Sequence, residues 1–164
     1  MGATAGELFD RHGLTVFQYF RRMTGSRDIA EDLTQEVFLR VVRGLHRYQA
    51  HGRETAWVFQ VARTVLLRHW QTEDPPHVSV TDIKEPGREP THVAAIGFYE
   101  AVSLLSRAER EMFLLREQGG LTYAEIARAC ETTEEAVRSK LYRARRLIKR
   151  VLSARLSADG RETL

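Results

Sequence analysis

All four prolines of the chain, Pro75, Pro76, Pro86 and Pro90, fall within one short stretch. Proline removes a backbone donor and turns the residue before it away from helix. A chain that is helical on both sides must therefore break here. The stretch from Gln71 to Thr91 also lacks helical periodicity, so it reads as a linker between two helical parts. Val78-Ser79-Val80-Thr81 inside it is the one brief run with a strand-like pattern. No internal repeat is visible.

Charge follows the same division. Residues 1–70 carry ten basic and seven acidic groups, residues 71–105 two and six, and residues 106–164 thirteen and nine. A net charge of +3 says little about nucleic acid. Two basic ends around an acidic connector point to a partner for the ends. Hydrophobic content of 43% supports globular cores, and 164 residues suffice for one ordinary domain or two small ones. Cys130 is the only cysteine, which excludes an intramolecular disulfide and argues against a thiolate zinc site. No apolar run approaches bilayer length, and Met1 to Asp10 lacks the basic start and apolar stretch of a signal peptide. The expected location is cytoplasmic.

Apolar periodicity predicts three helices before the linker. The first runs from Ala5 to Thr24 and buries Phe9, Val16, Phe17, Phe20 and Met23. Gly25-Ser26-Arg27 breaks it. Asp28 is the expected N-cap of the second, with Glu31 completing a capping-box-like pair. Ile29, Leu33, Val37, Val41 and Leu45 then recur every four residues. The third spans about Thr55 to Gln71 and buries Val58, Val61, Ala62, Val65 and Leu66. Four more helices follow the linker. One runs from Val93 to Leu105. The next opens on a Ser106/Glu109 capping box and ends at Gly119-Gly120. Another opens on Thr122 and Glu125. The last opens on Thr132 with Glu135, or on Thr133 alone. Fraying is expected after Ala158. The expected fold is all-α: two small helical domains, 1–71 and 93–164, joined by a flexible proline-containing linker over 72–92.

The last two long helices form a helix-turn-helix. Val137, Leu141, Ala144 and Ile148 fall at i, i+4, i+7 and i+11, one apolar stripe. Arg138, Arg143, Arg145, Arg146, Lys149 and Arg150 lie largely off it. A helix seated on such a stripe with cations outward suits a DNA major groove. A basic face alone is usually only solvated. Two capped helices, a short break and a small residue, Ala127, where they must approach make the pattern more specific.

Two further segments stand out. On the second helix Asp32, Gln35 and Glu36 share a polar side. Taken alone this is a solvated face, with acids placed early on a helix where they suit its dipole. From Tyr48 to Trp70, Tyr48, Trp57, Phe59 and Trp70 interleave with Arg47, Arg53, Arg63 and Arg68. Aromatics beside cations can hold unpaired bases, or form core with arginine stems lying over it. For Tyr48 and Trp57 both readings stand. No histidine pair has metal-site spacing, and no convergent nucleophile and base are present.

These segments, in this order, resemble the extracytoplasmic-function (ECF) class of bacterial RNA polymerase sigma factors. The resemblance rests on Asp32-x-x-Gln35-Glu36-x-Phe38, Trp57-Val58-Phe59-x-Val61-Ala62, Glu125-Ile126-Ala127, and Val137-Arg138-Ser139-Lys140-Leu141-x-Arg143-Ala144-Arg145. It covers nearly the whole chain, with a sigma-two-like part and a sigma-four-like part. It implies a non-enzymatic promoter-specificity subunit without a cofactor or metal. Asp32, Gln35 and Glu36 would dock on the β′ clamp helices of core RNA polymerase. Tyr48, Arg53, Trp57, Gln60 and Arg63 would read and open the −10 element, where an extruded base needs a pocket. Arg138, Ser139, Tyr142 and Arg143 would read −35 base edges. Arg145, Arg146 and Lys149 would meet phosphates or the β flap. An anti-sigma protein is implied as a further partner.

The sequence departs from the family pattern at three places. Glu131 stands where the helix-turn-helix turn usually has glycine, which predicts a different turn shape. Gln71 and Thr72 stand in place of a basic pair, and Thr64 in place of an asparagine; both bear on the strength of −10 recognition. Cys130 matches a buried leucine-like position and is expected in the core. The rivals are an autonomous dimeric DNA-binding regulator, a small helical enzyme or metal protein, and a sigma-like scaffold without promoter activity. The regulator needs neither the Asp32 face nor the Trp57 helix.

Overall fold

The computed structural model describes residues 2–48, 52–72 and 93–162, with side chains at all of these except 93–96, 159, 161 and 162. The described residues form seven α-helices and one 3-10 turn, with no strand among them. The linker from 73 to 92, with its prolines and the Val78–Thr81 run, lies outside the described residues.

The first three helices are α1 (Ala5–Thr24), α2 (Arg27–Gly44) and α3 (Glu54–Thr72), with a 3-10 turn at Leu45–Arg47. Thr4 and Glu7 close a reciprocal capping box at the start of α1. At its end Gly25 adopts φ 71°, a left-handed conformation that glycine alone takes without strain. The N-cap of α2 is Ser26, not Asp28. The Ser26 hydroxyl accepts the Ile29 N–H at 3.3 Å, so the helix starts two residues earlier and Asp28 falls in its first turn, next to the positive end of the dipole.

Helix α2 packs against both α1 and α3. Leu8, Val16, Tyr19, Phe20, Val37, Val41, Val58, Phe59, Ala62 and Leu66 are fully buried between them. Phe9 is not: it is 53% exposed. The inward line of α1 runs through Leu8, His12, Val16, Tyr19 and Met23, and Phe9 lies a further 100° or so around the helix. It leans edge-on against Phe38, with ring centroids 5.0 Å apart. Phe17 and Val61 are only partly buried. Gln71 and Thr72 remain helical, so α3 reaches past the expected start of the linker.

The other four helices are α4 (Val93–Ser103), α5 (Arg107–Glu117), α6 (Tyr123–Ala129) and α7 (Glu134–Glu162). The Ser106/Glu109 capping box is complete in both directions. Thr122 accepts the Glu125 N–H at 3.1 Å, but the Glu125 carboxylate turns instead to Arg53. Thr133, rather than Thr132, caps α7 through the Ala136 N–H at 3.1 Å. Helix α7 does not fray at Ala158. It continues to Glu162, with α4 beside it as far as Arg155. Gly97 makes this approach possible: a Cβ there would come within 3.0 Å of Leu152 Cδ2. Arg155 also pairs with Glu100.

The turn between α6 and α7 keeps a left-handed residue despite its lack of glycine. Glu131 has φ 52°, and the Thr132 N–H reaches back to the Ala127 carbonyl at 2.9 Å. The expected change of shape does not occur; the side chain is accommodated at a cost of roughly 1–2 kcal/mol. Burial of the α7 stripe offsets it. Val137, Leu141 and Ala144 are 0% exposed and Ile148 is 7% exposed, and each large side chain contributes about 1.5–3 kcal/mol by leaving water.

Candidate nucleic-acid and polymerase interfaces

The outer face of α7 is built by subtraction. Once Val137, Leu141, Ala144 and Ile148 take the inner side against α5 and α6, helical geometry puts Arg138, Ser139, Tyr142, Arg143, Arg145 and Arg146 outside, and all six are exposed. Tyr142 is 60% exposed, and the Arg146 guanidinium lies 5.7 Å from its ring. Tyr142, Arg146, Lys149, Arg150 and Ser153 line one groove along the helix.

These cations are not equally free. Arg145 bonds the Tyr123 hydroxyl at 3.3 Å and Glu117 at 3.1 Å, bracing α7 on α6 and α5. The Tyr123 hydroxyl is held below its usual pKa, chiefly by that bond from Arg145, and Arg145 is raised by the same bond. Arg143 reaches only to 3.9 Å of Glu109, a loose contact that leaves its fork available. Arg138 sits 5.8 Å from the Tyr123 ring.

On α2, Asp32 and Gln35 are exposed and Glu36 is half-buried beside Arg40, to which it pairs at 2.8 Å. The face continues into Leu39 and Val42, exposed by 53% and 54%. Apolar groups beside an acidic rim suit a protein partner better than water does. Leu39 and Val42 escaped the sequence reading because only the polar spacing was followed there.

The α3 region divides the aromatic cluster. Phe59 is core. Tyr48 and Trp57 stack face to face, with centroids 4.4 Å apart and planes 17° from parallel. Both are half-buried, so each keeps part of its surface toward solvent. Burial raises the Tyr48 hydroxyl pKa. Gln60 is exposed. Trp70 takes the Arg107 guanidinium over its ring at 3.3 Å. The loop positions 49–51 lie outside the described residues.

Arg53 and Arg63 are engaged elsewhere. Arg53 donates to Glu125 of α6 at 2.6 Å. Arg63 Nε lies 2.8 Å from Glu111 of α5, and the two side chains are only 12% and 9% exposed. Burial pushes the Glu111 carboxyl up, against the opposing pull of Arg63 and Arg107. Cys130 is beside this pair and half-buried rather than core; burial first, and Glu111 second, raise its thiol. No sequence signal marks Glu111 or Glu125 as partners, because each lies far along the chain from its arginine. The same holds for Glu54, which receives Arg11 at 2.8 Å and contacts His12 at 2.7 Å. Among the described residues no group of three or more His, Cys, Asp or Glu could hold a metal ion, and no helix is long and apolar enough to cross a membrane.

Two capped helices joined by a tight turn, the second with an exposed basic face, define a helix-turn-helix among the described residues. Comparison with known proteins narrows the class. The family models for sigma-70 region 2 and sigma-70 region 4 match residues 8–75 and 97–148. The ECF RNA polymerase sigma factor BldN of Streptomyces coelicolor is 31% identical over 90% of this chain and 60% of its own. The ECF sigma factor SigC of Mycobacterium tuberculosis is 32% identical over 71% of this chain and 66% of its own. The chain thus spans just under two thirds of the length of these curated relatives. In fold it is similar to the sigma factor RpoE of Bartonella quintana, solved with the anti-sigma factor NepR, with a TM-score of 0.66 and 21% identity over 88% of this chain and 94% of that one. The chain belongs to the ECF class of RNA polymerase sigma factors.

Proposed function

We propose that this chain is a non-catalytic promoter-specificity subunit that binds core RNA polymerase and directs initiation at −10/−35 promoters in the cytoplasm. The observation that carries this is the exposed α7 face: Arg138, Ser139, Tyr142 and Arg143 stand together on a helix whose other side is fully packed. A rigid helix with its N-terminal half presented outward reaches base edges in the major groove. Arg143 and Arg138 supply bidentate donors suited to guanine, and Ser139 and Tyr142 supply hydroxyls. Arg146, Lys149 and Arg150 provide charge for phosphates. Arg145 serves the fold first, through Tyr123 and Glu117.

The acidic and apolar face of α2, with Asp32, Gln35, Glu36, Leu39 and Val42, is the polymerase-docking surface in this reading. The Tyr48–Trp57 stack, with Gln60, forms the −10 side: an aromatic platform stacks on an extruded base and an amide reads its edge. An anti-sigma protein would cover one or both surfaces. The domains of the function are 1–71 and 93–164, joined over 72–92.

Run-off transcription with purified core polymerase, with and without the chain, on fragments of its own upstream region tests the proposal. Chain-dependent start sites sharing two spaced elements support it. Absence of transcripts together with tight two-fold-site binding by the chain alone overturns it in favour of an autonomous regulator.

A further inference from the structure

The carboxylate that opens α3 is gripped by two neighbouring side chains of α1. Glu54 is the first residue of α3. Arg11 donates to it through two nitrogens, Nε to Oε1 at 2.9 Å and a terminal nitrogen to Oε2 at 2.8 Å. His12 Nε2 lies 2.7 Å from Oε1. An ionised carboxylate only accepts, so His12 donates here and its Nε2 carries the proton. His12 is buried, at 9% exposure, and Glu54 is half-buried. A two-nitrogen guanidinium grip with a third donor from a buried ring fixes a carboxylate in direction as well as distance.

The grip falls on the part of α3 that the core holds least. Further along, Val58, Phe59, Ala62 and Leu66 are fully buried, and the Phe59 ring meets that of Tyr19 at 5.6 Å. The opening turn has no such depth, and the first amides of any helix lack partners within it. The Trp57 N–H closes that turn on the Arg53 carbonyl at 3.0 Å, so Glu54 ties down the turn from which the Trp57 ring projects.

The ring is placed from two other sides. Tyr48 stacks on its face, and a Cβ at Gly44, the last residue of α2, would lie 3.5 Å from Trp57 Cζ2, an ordinary contact. Tyr48 is set in turn by its N–H on the Leu45 carbonyl at 3.2 Å. Glu54 also stands close to Tyr48: burial first, and the Glu54 charge second, raise the Tyr48 hydroxyl. An aromatic platform that must be ordered at the moment of capture loses binding energy to that ordering, and helix ends are where fraying concentrates.

We propose that Arg11, His12 and Glu54 are positioning residues for promoter opening: they lock the first turn of α3 to α1, so that the Tyr48–Trp57 platform stands ready for a base leaving the duplex. The proposal rests on the −10 reading of that platform given above. The three residues act through Trp57 and touch no DNA themselves. Their loss hinders the opening of duplex DNA and largely spares DNA that is already open, where capture no longer has to offset unpairing.

The test uses the full chain with Trp70→Phe, which leaves Trp57 as its only tryptophan. Four forms are compared: this background, Glu54→Ala, Glu54→Gln, and a control, Asp10→Ala, which removes an exposed carboxylate of α1 outside the cluster. Acrylamide quenching of Trp57 fluorescence reads the platform without DNA or polymerase. Run-off transcription with core polymerase reads opening, on a start-site fragment from the chain's own upstream region. The fragment is used as full duplex and with its −10 element pre-melted by mismatched strands. Glu54→Ala should make Trp57 about twofold more quenchable with far-UV helicity unchanged. It should lower transcription from the duplex roughly tenfold, the scale of a misplaced reacting group, and from the pre-melted fragment by less than about twofold. Glu54→Gln keeps an oxygen for Arg11 or His12 and should fall between Glu54→Ala and the background in both readouts. The control should match the background. Unchanged quenching in Glu54→Ala overturns the clamp. An equal fall on both fragments overturns the positioning role in favour of a general loss of folded chain. A background chain that starts no transcripts removes the −10 reading and with it the role in opening, whereas quenching still decides whether Glu54 holds Trp57, so the two failures are distinguishable.

Discussion

Helix α7 and the α3 region both carry arginines that the family resemblance assigns to DNA, and the structure treats them differently. On α7 the apolar stripe is deep enough to seat the helix without help from its cations, so Arg138, Arg143 and Arg146 remain outside. On α3 both faces are used. Val58, Phe59, Ala62, Val65 and Leu66 turn toward α1 and α2, while Arg63, and Arg53 just before the helix starts, turn toward α5 and α6 and are paired there. The lesson is that an arginine is a ligand for whatever anion folding brings to it first, and its residue type does not say which.

That contrast can be broken or sharpened by mutation. The largest effect should come from Arg63→Ala, which leaves Glu111 buried without its cation. We expect a loss of about 3 kcal/mol in urea unfolding at neutral pH. A loss under about 1 kcal/mol would show that Glu111 is relieved by protonation or by water, and that α3 is less dependent on the pair than its burial implies. On the other helix, Arg143→Ala should leave the unfolding midpoint unchanged and reduce −35-dependent transcription roughly tenfold or more, the scale of one bidentate base contact. Unchanged transcription would take Arg143 off the working face.

Next in size, Asp32→Ala combined with Glu36→Ala should weaken binding to core polymerase about tenfold while changing stability by less than about 0.5 kcal/mol, the scale of exposed helix substitutions. Undiminished binding would remove α2 from the docking surface. At the start of α3, Glu54→Gln probes a smaller, pH-dependent contribution. Burial raises the Glu54 carboxyl, but hydrogen bonds from His12 and Arg11 outweigh it and bring its pKa below the ordinary 4.5. A carboxyl depressed in the folded state stabilises above its unfolded pKa and stops doing so as pH falls through the folded value. The parent should therefore exceed the variant by about 1 kcal/mol at pH 7, with the gap closing as pH is lowered from 4.5; a gap independent of pH would assign the effect to packing. The smallest effect is expected at the turn that aims α7. Glu131→Gly should raise stability by up to about 1 kcal/mol, the left-handed strain relieved less the extra freedom of glycine in the unfolded chain. No gain would mean that the Glu131 side chain compensates for its backbone.

Much of the fold was legible without coordinates. Local pattern placed the seven helices of the described residues, and the Ser106/Glu109 box and the α7 stripe stand where it puts them, while the structure chose Thr133 over Thr132 as the cap of α7. The misses are instructive because each involves a choice among equivalent local options. Ser26 and Asp28 can both cap a helix, and the chain's exit from Gly25 decided between them. Phe9 and Leu8 are both apolar, and the direction of the α1 inner line buried only Leu8. Helix α4 lies beside α7 as far as Arg155, which no window on α7 alone contains.

The sequence by itself determined the helices and the outward face of α7, since these follow from periodicities within a few turns of chain. It also carried the family, through motifs whose order and spacing are local text. Only the tertiary structure decided where Glu111, Glu125 and Glu54 would go, that Arg145 braces the fold, and that Cys130 sits beside a buried ion pair. Charged side chains act over a few ångströms of space, and these pairs join residues tens of positions apart. No periodicity encodes such a meeting; the packing of one half against the other creates it.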